Sequence, residues 1–486
     1  MRLAQTSVIY FISKFAASIF GFVATIYFTR TLGEEVYGFY AITLALVSWL
    51  GIVKTVGFGE AIVKRMSEDQ EPDEYLAAGT VIKTVLTTIV VVGTIIFRGP
   101  INEFIGQPVA EFVILLLIVS IVNDLVKSAL KGQRRVHIYA PLSTVRKAAQ
   151  SALMIALVYV GWELSGMLVG HALGTVIMSI IGLWIVKPKL VFPRWKHVVG
   201  LVDFAKYSWL GNMRKKTFSE ADILILGLFV PAGLTGIYAV AYTLSEFLEI
   251  FGEGIRTTFF PEMSKLSAAN DISLIATLTD DAVTFSGLLL IPGVVGASIL
   301  GDRLMLLYGP NFGIGHWILV LLLSALLIYT YTKQFLNTLN AIDRPDLAFR
   351  ANSVFIVVNI ILNIILVWQI GWFGAALATL FSAMIGFVFS LYYVRQFITV
   401  SFPISEVGKQ WIAAAIMGVV VLGMRTALEE SGTWLLTYNS VFVIFLVSVG
   451  AAVYFAALVV LSKRLRRVIL DNVPFDLIQS NETLKK

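Results

Sequence analysis

No cysteine occurs anywhere in the chain, which excludes disulfides, thiolate metal sites and cysteine nucleophiles and leaves the redox compartment unreadable. Histidine is nearly missing as well, at four residues, and no HExxH, no Walker-type loop and no Ser/His/Asp grouping stands on a segment large enough to host chemistry. Nothing here supports catalysis, so the chain reads as a non-enzyme. Charge is scarce: Asp, Glu, Lys and Arg supply 14% of 486 residues, where a soluble domain carries roughly 25%. Hydrophobic residues reach 58% and mean hydropathy +0.84, the composition of an integral membrane protein.

The apolar residues fall in about fourteen runs. A helix needs about 20 apolar residues to cross the hydrocarbon core, because every backbone amide must be paired within its own segment there. Such runs lie near 8–28, 38–58, 78–97, 109–130, 140–161, 163–186 and 206–229, then near 235–258, 280–300, 316–338, 350–370, 372–397, 409–428 and 440–461. The first contains Lys14 and is longer than a signal-peptide core, so it reads as a helix of the mature protein. The spans near 140 and 206 are the most polar.

Orientation follows from Lys and Arg in the connections. With the N-terminus inside, nineteen fall in inner segments and three, Arg30, Arg98 and Arg303, in outer ones. That imbalance predicts a multi-pass protein of the cell (plasma or inner) membrane with both termini cytoplasmic. The net charge of +6 then reflects topology and argues for no nucleic-acid partner.

An internal repeat organises the spans. Tyr37-Gly38-Phe39-Tyr40-Ala41-Ile42 opens the second, and Thr235-Gly236-Ile237-Tyr238-Ala239-Val240 opens the eighth, 198 residues on. Met66-Ser67 returns as Met263-Ser264, and Gly161-Trp162 as Gly371-Trp372. Two parallel six-helix lobes around a central cavity are expected, over 1–200 and 201–400, with two additional helices over 401–461 and a cytoplasmic tail over 462–486. The predicted class is thus an all-α transporter.

Fifteen Lys and Arg fall inside the spans, fourteen in the cytoplasmic half and one, Arg425, outside it. For Lys54, Lys83, Lys127, Lys206, Arg256, Lys333, Arg350 and Arg395, snorkelling to the headgroups is the simple reading. Lys14, Arg146, Lys147, Arg214, Lys215 and Lys216 lie deeper, the last three about 12 to 15 Å in at about 1.5 Å per residue, where a charge costs at least ~2.5 kcal/mol unless solvated or paired. These six should face a wet cavity or an anion. Glu246, Glu249 and Glu253 recur with Arg256 on one face of the eighth span, at the depth of Arg214 to Lys216. They fit a buried ion-pair network, a gate, or a proton site.

A second polar set comprises Asn359 and Asn363 on the eleventh span, Thr379 on the twelfth, and Asp222 with Glu220 on the seventh. Oxygens from several helices around one carboxylate suit Na⁺; interhelical hydrogen bonding explains the asparagines equally well. His171 reads as a packed polar residue.

The stretch from Phe28-Thr29-Arg30-Thr31-Leu32-Gly33 through Tyr37-Gly38-Phe39-Tyr40-Ala41 to Val56-Gly57-Phe58-Gly59 and Val63-Lys64-Arg65 resembles the N-terminal signature of polysaccharide flippases. So does Phe335-Leu336-Asn337 through Asn340-Ala341-Ile342-Asp343-Arg344 to Asn359, Asn363 and Gly371-Trp372-Phe373-Gly374-Ala375-Ala376-Leu377-Ala378-Thr379. The resemblance, over nearly the whole chain, is to the O-antigen and oligosaccharide-lipid flippases of the multidrug/oligosaccharidyl-lipid/polysaccharide exporter superfamily. It implies alternating access on a polyprenyl-phosphate- or pyrophosphate-linked oligosaccharide, its anionic headgroup captured by deep cations such as Lys14 and Arg214. It also implies a sodium site mapping to Asp222, Asn359, Asn363, the carbonyl of Ala375, and Thr379. Asn363 stands where relatives can carry a carboxylate, which lowers the expected charge of that site.

No resident cofactor is expected, and Na⁺ or H⁺ is the candidate coupling ion. The expected partners are the lipid-linked oligosaccharide and membrane lipids, with polysaccharide-assembly enzymes as candidate neighbours. The rival is a cation-coupled multidrug exporter of the same superfamily, which should prefer an acidic, aromatic cavity. A polymerase or ligase is disfavoured because the longest outer loop, near 301–315, is too small to hold reacting sugars.

Overall fold

The computed structural model describes residues 3–472 apart from 56, 69–70, 190, 217–219, 401 and 433, with side chains also left out at 3–11, 55, 206–216, 434–435 and 468–472. Among these residues the regular structure is helical throughout, with no strand. In chain order the first half holds α1 (Leu3–Thr55), α2 (Phe58–Ser67), α3 (Pro72–Ile96), α4 (Arg98–Ile105), α5 (Ala110–Gly132), α6 (Val136–Tyr159) and α7 (Glu163–Val186). There follow α8 (Trp195–Lys216), α9 (Asp222–Phe229), α10 (Ala232–Ala268), α11 (Ile272–Ser286), α12 (Leu290–Met305), α13 (His316–Ala341), α14 (Pro345–Ile370) and α15 (Trp372–Arg395). The chain then adds α16 (Ile404–Glu430), α17 (Asn439–Leu461) and α18 (Lys463–Asn472).

Every expected span falls on these helices, but the count of fourteen is not reached by length and composition: eleven helical stretches among the described residues qualify. One of them carries two expected spans, because α1 bends sharply at Gly33 (φ 82°, ψ 178°), a backbone conformation open to glycine alone. The stretches over 140–161 and 206–229 do not qualify. Arg146 and Lys147 dilute the first, and the second includes residues 217–219, which lie outside the described residues.

The repeat has a direct structural meaning. A Cβ on Gly38 would sit 1.9 Å from the Ala232 carbonyl oxygen, and one on Gly236 would sit 2.1 Å from the Glu34 carbonyl oxygen. Each glycine therefore lies against the backbone of the other's helix, and the two repeat-related sites face one another across a common seam. Between apolar helices in lipid there is no hydrophobic gain, so close backbone packing of this kind has to hold them together. Polar ties close the same end: Arg30 donates to the Leu307 carbonyl (2.7 Å) and Asn311 to the Glu34 carboxylate (2.8 Å). Tyr308 and Tyr238, both fully buried, fill the space beneath.

At the opposite end α8 packs on α2 and α3 through Leu201 and Ala205, against Phe58, Ile62 and Leu76. Glu71, at the foot of α3, accepts hydrogen bonds from His197 (2.9 Å) and Lys196 (2.5 Å). The Arg194 amide donates to His197 Nδ1 (3.0 Å), which puts the imidazole proton on Nε2, facing Glu71. Lys196 first, then His197, holds the Glu71 carboxyl down at about 2. The additional pair is fastened separately, with Arg425 of α16 bound to Asp302 of α12 (2.6 and 2.9 Å) and to Glu429 (3.1 Å).

Two outcomes test this packing. Gly38→Val must displace backbone at the seam, at a cost of about 1–3 kcal/mol; maleimide labelling of Thr235→Cys, fully buried in the wild type, should rise and the melting temperature fall, and no change in either would mean the seam is loose. The Glu71 carboxyl is held below its ordinary 4.5, so its contribution is complete above about pH 4.5 and is lost as pH falls through about 2. The stability gap between wild type and Glu71→Gln should therefore be flat from pH 8 to about 5 and shrink only in stronger acid.

Candidate functional site

Two sets of polar side chains lie within the helices. The first is built on α1, α6, α10 and α13. Lys14 on α1 and Glu246 on α10 are exposed, and Arg146 and Lys147 on α6 are half-buried, although all four lie well inside membrane-length helices. Lys147 runs along α1, its Cε 3.1 Å from where a Cβ on Gly21 would stand, and the Glu246 charge reaches it. Phe15 and Phe247, the neighbours of Lys14 and Glu246, bring their ring centroids to 5.7 Å. The Tyr242 hydroxyl donates to Glu246 (3.2 Å). The side chains of Arg214, Lys215 and Lys216 lie outside the described residues.

The glutamate row on α10 divides among different partners. Glu253 is clasped by Arg256 of its own helix (2.5 and 3.0 Å). Glu249 is paired with Lys333 of α13, whose ammonium also lies 4.5 Å above the Tyr329 ring. This corrects one expectation, since Lys333 does not snorkel but turns inward to Glu249; the 214–216 cations expected beside Glu249 lie outside the described residues. The reason is the α10–α13 packing, which places the two side chains face to face. Lys54 and Lys83 do not snorkel either, each being only 6% exposed.

The second set converges as the resemblance implies. Asp222 opens α9, Asn359 and Asn363 stand one turn apart on α14, and Thr379 stands on α15, one turn beyond Ala375; all five are buried. Asn363 donates to Asp222 Oδ1 (2.9 Å) and Thr379 to Oδ2 (2.7 Å), while the Asn359 amide donates to the Thr379 hydroxyl (3.2 Å). A third donor, the Tyr238 hydroxyl, also binds Asp222 Oδ2. Sequence reasoning missed Tyr238, although the repeat pointed to it. It is the counterpart of Tyr40, whose hydroxyl meets His171 Nδ1 at 3.1 Å, beside Gln150 and Thr175. His171 is thus held in a polar group of the first half that mirrors the Asp222 group of the second.

The carboxamide oxygens of Asn359 and Asn363 have no hydrogen-bond donor and are buried. With Asp222 and the Thr379 hydroxyl they make an all-oxygen set around a single carboxylate, the donor chemistry of a hard monovalent cation. No group of three or more His, Cys, Asp or Glu suited to a metal ion occurs among the described residues.

A family model described as "Polysaccharide biosynthesis protein" matches residues 3–267, and one described as "Lipid II flippase MurJ" matches 223–459. "Probable flippase AglR" of Haloferax volcanii is 29% identical over 425 residues, 86% of this chain and 89% of its own length. "Probable low-salt glycan biosynthesis flippase Agl15" of the same organism is 28% identical over 427 residues, covering 88% and 90%. The solved structure "Lipid II flippase MurJ, inward closed conformation" shares the fold, with a TM-score of 0.78 over 93% of this chain and 98% of its own, at 18% identity.

Removing one donor to a buried carboxylate costs about 1–3 kcal/mol. Tyr238→Phe should accordingly lower thermal stability, and Asp222→Asn, which removes the charge those donors serve, should cancel most of that loss in the double variant. Strictly additive losses would show that Tyr238 does not act through Asp222.

Proposed function

The chain belongs to the polysaccharide biosynthesis protein family, and on that premise we propose that it is an alternating-access flippase. It moves a polyprenyl-phosphate- or pyrophosphate-linked oligosaccharide from the cytoplasmic to the outer leaflet of the cell membrane. The observation that carries the reading is the accessible surface retained by Lys14, Arg146 and Lys147 deep within helices that otherwise bury or face lipid. Full-length likeness to two Haloferax volcanii proteins named as flippases supports it.

In this reading both termini are cytoplasmic, as the Lys and Arg distribution favours, and the Gly38–Gly236 seam is the closed outer side. The lobes are residues 1–200 and 201–400, with 401–461 as an added pair and 462–486 as a tail. The anionic headgroup enters among Lys14, Arg146 and Lys147, with Arg214, Lys215 and Lys216 in the same set, while the polyprenyl chain stays in lipid. Cationic walls lower the cost of carrying phosphate through hydrocarbon. No covalent bond forms or breaks, so the residues need only bind, orient and release, and the protein works as a transporter without catalysis.

Glu246, Glu249 and Glu253 act as gate carboxylates: Glu249 is held by Lys333, and Glu246 is placed to compete with the passenger's phosphate for Lys147. Asp222, Asn359, Asn363, Thr379 and the Ala375 carbonyl form the coupling site, where bound Na⁺ or H⁺ would cancel the Asp222 charge. The rival multidrug exporter would be served by an acidic chamber, whereas Lys14, Arg146 and Lys147 outnumber Glu246 here.

Proteoliposomes containing a fluorescent polyprenyl-pyrophosphate oligosaccharide test both parts. Transfer to the opposite leaflet should require the protein and fall about tenfold or more in Lys147→Ala, the loss of one bond to a charged group. It should respond to a Na⁺ or proton gradient in the wild type and lose that response in Asp222→Asn. Unchanged transfer in Lys147→Ala, or uptake of cationic dyes with no transfer of sugar lipid, would overturn the proposal.

A further inference from the structure

Away from both sets lies a third group of charges, between the inner half of α1, α2, α3 and α5. Lys83 stands eleven residues into α3 and is 6% exposed, and its ammonium makes no hydrogen bond or ion pair among the described residues. The backbone of Gly59 on α2 lies beside it, since a Cβ there would stand 4.0 Å from Nζ. The charges that reach Lys83 are Asp124, Lys127, Lys54 and Glu60. Of these, Asp124 is already engaged by Lys54 (3.4 Å), which also donates to the Ser120 hydroxyl. Glu60 and Lys127 are exposed at the margin.

A second observation points the same way. Thr80, Thr88 and Thr94 of α3 each return their hydroxyl to the carbonyl four residues back. Thr87, one turn beyond Lys83 and 1% exposed, does not, and its hydroxyl has no partner at all. Two adjacent buried donors on one helix face therefore lack an acceptor. A buried ammonium with no ion-pair partner of its own is strongly unfavourable, and little of Lys83 is accessible to water.

We propose that Lys83 and Thr87, with Lys54 and Lys127 beside them, form an anion site in the first half that takes a phosphate oxyanion, from a phospholipid headgroup or from free phosphate. Three ammonium groups and a hydroxyl supply donors in several directions, which suits an anion with several oxygens. Basic pockets between membrane helices take lipid headgroups in this way. The site is set apart from Lys14, Arg146 and Lys147, because α3 packs chiefly on α5, α2, α8 and α1, whereas those three cations stand on α6 and the first part of α1.

The test uses delipidated full-length protein in detergent and needs no transport assay, so it stands whatever becomes of the flippase reading. Melting temperature is followed on titration with sodium phosphate, with chloride of equal ionic strength as reference, and separately with phosphatidylglycerol against phosphatidylcholine. The wild type should be stabilised in at least one arm, and Lys83→Met should bind about ten- to hundredfold more weakly, the loss of one hydrogen bond to a charged group. Thr87→Val should weaken binding less. Stabilisation by phosphatidylglycerol alone identifies a headgroup, and stabilisation by phosphate as well shows that the free oxyanion suffices. Lys83→Met removes an unpaired buried charge and should fold. Equal responses in wild type and Lys83→Met, or no response of the wild type to either probe, would overturn the site.

Discussion

The contact between Gly38 and Gly236 is the constraint on which the architecture rests. Each glycine presses on a main-chain carbonyl of the other's helix, at a separation where no side chain fits. Helices in lipid gain little from burying apolar surface against one another, so their arrangement is decided where backbones approach closely and where polar groups are satisfied. Here the approach occurs between duplicated segments, so the seam is also where the two halves of the repeat meet. The Arg30 and Asn311 ties and the buried Tyr308 are grouped around it.

Charges placed in the membrane-length helices fall into three physical states. Some are neutralised by a neighbouring helix, as Glu249 is by Lys333, and mainly fix geometry. Others, such as Lys14 and Lys147, keep accessible surface. Lys83 belongs to neither class, being enclosed and unpaired. The distinction matters energetically: a paired ion in low dielectric is held by Coulomb attraction, whereas an enclosed unpaired one is a standing cost until something binds.

Much of this was legible in the residues alone. Membrane class, helical content and the positions of the spans follow from hydrophobic length, and the repeat motif contains both Gly38 and Gly236, although their contact is not legible in it. That Asn359 and Asn363 share a face is legible from their spacing of four, whereas the gathering of Asp222 and Thr379 with them from other helices is implied by the resemblance and not by any spacing. Partners of the buried charges were not legible. Depth along a helix is readable from sequence, but rotation about its axis and the identity of its neighbour are not, so Lys333 passed for a snorkelling end residue and Lys83 for another. Tyr238 was overlooked because its hydroxyl matters only once α9 is placed beside α10. In the expected span near 206, α8 packs on α2 and α3 and also on α14, while α9 carries Asp222 to α14 and α15.

One helix touches almost everything described above. Over 37 residues, about 55 Å, α10 presents Gly236 to the seam, Tyr238 to Asp222, Glu246 to Lys147 and Glu249 to Lys333. These contacts lie at different heights on a single rod, as lobes do on a camshaft. A small twist of that rod would shift all four contacts together, with no relay of intermediates between them.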